Sequence, residues 1–222
     1  MSDPLNDLRL VGTSEIGGGR FRGLRITGDA KLMGHIYCKS FALTGTATVQ
    51  GDLEAGKLKF TGEVKVEGSL KGGIFGGMGE LRTETGFRGN EVRMSGLLHS
   101  GGQIEAEKLD IRGVIEADGV VNAENTTIRL YGPSQAKEIV GGTITVRRSR
   151  GLRLKELLQP SANTGLTAGL IEGDEVYIEF TRADLVRGNR VKVGSGCEIG
   201  RIEYRDSLDV HAKSKTGTAV KL

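Results

Sequence analysis

From Leu24 to Ala123 the chain repeats itself with a 17-residue period, and few folds accommodate an interval of that length. Gly28, Gly45, Gly62, Gly79, Gly96 and Gly113 keep the interval without a slip. A second column, six residues further on, reads Gly34, Gly51, Gly68, Thr85, Gly102 and Gly119. Apolar residues follow the same ruler, as in Leu24, Phe41, Leu58, Phe75, Val92 and Leu109. Within one repeat they stand two residues apart, the period of a strand and not of a helix. A fixed period with internal alternation is the signature of a solenoid. Short strands bent at glycine-bearing corners bring the chain back over its start. Coil then pairs with coil at a spacing of about 4.8 Å. Glycine admits positive φ at the corners and leaves room where backbones crowd. The expected fold is all-β, a parallel β-helix of about ten coils forming a rod roughly 45–50 Å long.

The register extends over most of the chain and defines its expected organisation. Residues 1–7 form a short N-terminal tail, and the solenoid runs from Leu8 to Arg205. The coil from Phe75 to Gly89 is the weakest, because Gly77, Thr83, Thr85 and Gly89 stand where apolar residues are expected. After Ala123 the pattern shifts by two at Ile128, Leu130 and Gly132, then continues to Ile144 and Val146. Residues 147–165 match neither neighbour and read as an insertion thrown out of the rod. The insertion is basic and leucine-rich at once: Arg147, Arg148, Arg150, Arg153 and Lys155 stand beside Leu152, Leu154, Leu157 and Leu158. Three roles are open for it: contact with a membrane surface, contact with a partner, or leucines folded back over the solenoid. Alternation resumes at Leu166, and Val191, Val193, Ile199, Ile202 and Tyr204 build the last coil. Residues 206–222 read as a flexible polar tail.

Composition excludes several classes. With 31 basic and 28 acidic residues the net charge is +3, too balanced for the broad basic field of a nucleic-acid binder. No apolar run approaches the roughly 18 residues of a membrane span, and the first residues resemble no signal peptide. A cytoplasmic protein is expected. Cys38 and Cys197 read as two buried small hydrophobes, not as a disulfide. His35, His99 and His211 share no column, so no metal site and no cofactor are expected. Carboxylate pairs such as Glu105 with Glu107, and Glu172 with Asp174, are interleaved with basic residues and read as a charged outer face. The period differs from the six residues of hexapeptide acyltransferases. The acidic or basic clusters of polysaccharide lyases are also missing, so no enzyme is expected.

The repeat Leu-x-Ile-x-Gly-x-Ala-x-Leu-x-Gly-x-Ile resembles the bactofilins, the polymer-forming cytoskeletal proteins of bacteria. The closing segments, residues 172–178 and 186–199, resemble the longer bactofilin-like proteins of spore-forming Gram-positive bacteria. The resemblance implies a right-handed β-helix that assembles end to end into nucleotide-independent filaments. It also implies a scaffold in cell shape, division or motility. A partner is then a second copy or a bactofilin paralogue, with membrane-associated or cell-envelope proteins beyond. The location would be cytoplasmic or peripheral at the inner face of the membrane, with direct membrane binding left open. Open strand edges carry the expected assembly contacts. At one end these are Leu8, Leu10 and Val11, and at the other Val191, Val193, Ile199, Ile202 and Tyr204. The alternative is a β-helical adaptor that does not polymerise and binds a partner along its flank.

Overall fold

A computed structural model describes residues 5–149 and 164–222, and the described chain is a β-solenoid of about ten turns. Its ten strand segments are β1 (Asp7–Val49), β2 (Leu53–Val66), β3 (Ser69–Thr83), β4 (Gly86–Ser100), β5 (Ile104–Leu130), β6 (Ser134–Arg148), β7 (Leu166–Ile178), β8 (Thr181–Val193), β9 (Glu198–Val210) and β10 (Lys215–Lys221). They pair in chain order in one parallel sheet, which is what a coil laid on the preceding coil must produce. Pairs such as Ile36 with Leu53, Leu58 with Phe75 and Met94 with Ile111 reproduce the register of the repeat. Ile26 and Ile111 lie in one continuous apolar core that runs the length of the stack.

The two glycine columns do different work. Gly28, Gly45, Gly62, Gly79, Gly96 and Gly113 all have positive φ. In the second column only Gly34 does. Gly51 is needed for clearance instead: a Cβ there would sit 2.8 Å from the backbone carbon of Gly34.

The coil around Phe75 is not hollow. A Cβ on Gly77 would stand 2.5 Å from the Phe60 ring, and one on Gly89 would stand 2.7 Å from the Phe75 ring. The missing side chains are replaced by aromatic rings, that of Phe60 from the preceding coil and that of Phe75 from within the coil. Phe75 and Phe87 also pair, with centroids 5.3 Å apart. Thr83, fully buried, donates its hydroxyl to Ser100 at 3.2 Å, and Ser100 donates to the Gly102 carbonyl.

The register departs from the sequence expectation in four places. Ile128 still stands in the column of Ile111, one full repeat on. The two extra residues enter later, at the bend after Leu130, so that Ala117 pairs with Ala136. The insertion begins after Arg147 and Arg148, both of which belong to β6 and pair with Arg129 and Leu130. Arg150, Leu152, Arg153, Leu154, Lys155, Leu157 and Leu158 lie outside the described residues. The coil after Leu166 is shorter than the repeat by two, because Leu166 pairs with Thr181 and Glu172 with Arg187. Its corner is closed by Phe180, a non-glycine residue at φ +47, whose ring lies 4.5 Å beneath the Arg148 guanidinium. Finally, residues 206–222 are not a loose tail. β9 runs on to Val210 and β10 pairs with it from Lys215 to Lys221, adding one more coil.

Cys38 and Cys197 are buried free thiols. Burial pushes the Cys38 thiol up to about 11. Alkylation at neutral pH is therefore expected to be about a hundredfold slower than at a free cysteine, as timed by mass spectrometry. Equal rates would mean that the first coils open readily.

Candidate assembly surfaces

The outer face of the rod is laced by charge pairs that step from coil to coil. Arg187 bridges Glu172 at 3.1 Å and Glu203 at 2.7 Å, and Arg201 reaches Glu203 at 2.8 Å. The Arg187 guanidinium holds the Glu203 carboxyl below the usual carboxylate range. Asn189 donates to Asp174 at 2.8 Å, and Arg88 pairs with Glu105. Of the carboxylates that stood out in the sequence, Glu105, Glu172 and Asp174 are thus taken up by neighbours one coil away. His99 lies 3.3 Å from Glu116, and His35 lies 3.1 Å from Asp52. Among the described residues no group of His, Cys, Asp or Glu is arranged to hold a metal. No described helix is long and apolar enough to cross a membrane.

The two ends of the stack are unlike. In the first coil Leu8, Leu10, Ile16 and Phe21 pack against the core yet stay half-buried. One coil along, Leu24 and Ile26 are 1% exposed and Leu32 is fully buried. The difference is coverage. β1 is the edge of the sheet, and no described strand pairs with the outer edge of its first coil. Val11 differs from its neighbours: it is 66% exposed and belongs to the flank.

At the other end the expected contact residues are overturned. Val191 pairs with Leu208, Val193 with Val210, Ile199 with Thr216, Ile202 with Ala219 and Tyr204 with Lys221. The first four are buried inside the stack, and Tyr204 is half-buried beneath β10. The last layer offers Leu208, Val210, Thr216 and Ala219, a thinner and more polar surface than the first. The sequence concealed it because a terminal layer lacks the alternation that comes from being covered on both sides.

One flank is concave. A hollow of about 600 Å³ runs from Arg25 and Thr27 past Thr44 and Thr61 to Met78, floored by Leu43, Phe60 and Gly77. Its hydroxyl column continues as Ser95 and then changes character, with Ser95 pairing with Arg112, and Arg129 with Arg147.

The described residues thus form a β-solenoid whose two ends differ. No model of a known protein family matches the chain, and no solved structure does. Two relatives from Bacillus subtilis (strain 168) do. The uncharacterized protein YhbF is 41% identical over 87 residues, which is 38% of this chain and 34% of the relative. The uncharacterized protein YhbE is 35% identical over 91 residues, 41% of this chain and 38% of the relative. The match spans little more than a third of either relative's length.

Proposed function

We propose that this chain is a bactofilin-like scaffold subunit that associates end to end without a nucleotide. The observation that carries the reading is the half-buried apolar layer of Leu8, Leu10, Ile16 and Phe21 beside a strand edge with which no described strand pairs. Joining that layer to another coil buries apolar area and completes a hydrogen-bond ladder in one step. The complementary layer is a second copy of this chain or a paralogous solenoid. A cytoplasmic location, or one at the inner face of the membrane, belongs to the same reading, as does a part in cell shape, division or motility.

Replacing Leu8 with Arg and Leu10 with Glu places charges in that layer. The expected result is shorter or absent assemblies by electron microscopy, with an unchanged strand-rich circular dichroism spectrum. Wild-type protein that stays monomeric at about 100 μM, several orders above the Kd of a stable interface, would leave the flank-binding adaptor as the reading.

A further inference from the structure

Net charge hides a segregation of charge around the rod. The outward positions flanking the column of Ile26 carry Arg25, Lys59, Arg93, Arg112, Arg129 and Arg147, all exposed, against the single acid Asp110 as far as the end of β6. The next outward run of each coil, after the first glycine column, is mainly acidic. It exposes Asp29, Glu63, Glu67 and Asp118, with Lys31 as its unpaired base, while Glu80, Glu84 and Glu116 are already paired with Arg82, Lys65 and His99. Among the described residues Arg25, Lys59, Arg112 and Arg129 make no ion pair, and neither do Asp29, Glu63, Glu67 and Asp118.

In three of the coils an unpaired base stands with an unpaired acid. Arg25 and Asp29 share a coil, as do Lys59 and Glu63, and Arg112 and Asp118. Arg25 to Lys59 and Asp29 to Glu63 are both steps of two full repeats. A separate polyanion would need its own charge spacing to fit this ladder. A second solenoid has the same rise per coil by construction, so its charges stay in step along the whole contact.

We propose that the basic flank docks against the acidic flank of a second copy, side by side, parallel and without axial offset. The partner surface is a different face of the same chain, so the contact is heterologous. The two flanks are consecutive faces of the coil, so each added rod is turned about the axis relative to the last, and rods gather side by side into a bundle and not a flat sheet. This contact is independent of the end-to-end one, and long-range charge complementarity gives it its specificity and its sensitivity to salt.

The test uses the full chain carrying Leu8→Arg and Leu10→Glu, which removes the proposed axial contact and leaves the lateral one to be read alone. Sedimentation velocity at about 50 mM salt should show self-association that weakens at least about tenfold by about 500 mM, as screening sets in. In that background one variant adds Arg25→Glu, Lys59→Glu and Arg112→Glu, and a second adds Asp29→Lys, Glu63→Lys and Asp118→Lys. Each alone should remain dispersed, and an equimolar mixture should associate again. A folding defect cannot produce rescue on mixing. The proposal is overturned if the background protein shows no salt-sensitive association, if either variant associates as tightly as that protein, or if the mixture stays dispersed. It is also overturned if the basic flank captures heparin or phosphatidylglycerol vesicles while copies do not pair, because the occupant is then a polyanion.

Discussion

Phe75→Ala should cost about 4 kcal/mol of stability, the upper part of the range for a large-to-small change in a core. Phe75 is 1% exposed, and its ring lies over two positions that have no side chain, Gly72 and Gly89. Nothing nearby can move in to fill the space, and the pairing with Phe87 is lost as well. Gly89 supplies an internal control. The atoms nearest to a Cβ there are those of the Phe75 ring at 2.7 Å and a Val92 methyl at 3.4 Å, with no backbone atom closer than these. Gly89→Ala alone should therefore destabilise by about 1–3 kcal/mol through overpacking. Added to Phe75→Ala, it should recover stability by filling part of the cavity. Denaturant unfolding of the four proteins measures the coupling, and simple additivity would show that ring and glycine do not share the space.

Gly62→Ala is expected to be comparably severe for a different reason. Gly62 has φ +121, a region that side chains avoid, which costs about 1–3 kcal/mol by itself. Its Cβ would also lie 2.0 Å from the Gly45 carbonyl oxygen, a backbone atom held in the ladder of the preceding coil. Relief requires opening that ladder, so the total loss should exceed about 4 kcal/mol. Gly12 separates the two effects: it has φ +81, but a Cβ added there would meet nothing within 4 Å. Gly12→Ala should cost only about 1–2 kcal/mol. Equal melting temperatures for the two variants would mean that stacking adds nothing to the demand for glycine.

What the sequence revealed and what it concealed divide along a physical line. Registers such as Gly45 with Gly62, or Val64 with Leu81, were legible because every coil solves the same packing problem at the same position. The filling of the Phe75 coil was not legible. Reading by columns treats each position as independent, whereas the Phe60 ring leans into the place left by Gly77 in its own column, and the Phe75 ring into places that Gly72 and Gly89 leave empty in another. The contraction at Phe180 was hidden because no glycine marks that corner. The final coil was hidden because Thr216 and Ala219 are covered on one side only and carry no hydrophobic demand. Of the proposed assembly surface, Leu8 and Leu10 were readable, since half-covered leucines still look like core. The flanks were not: a net charge of +3 sums over faces that the coil separates.

The pairing order, each segment bonded only to those before and after it, also decides how the rod bears mechanical load. Compression along the axis presses backbone on backbone and is resisted by every coil at once. Tension applied through the chain termini does the opposite. It opens the ladder a few hydrogen bonds at a time, so coils peel from an end instead of shearing together. Each coil released yields about 58 Å of slack when its chain is drawn straight. The rod is a stiff strut when pushed and a stepwise, extensible tether when its chain is pulled.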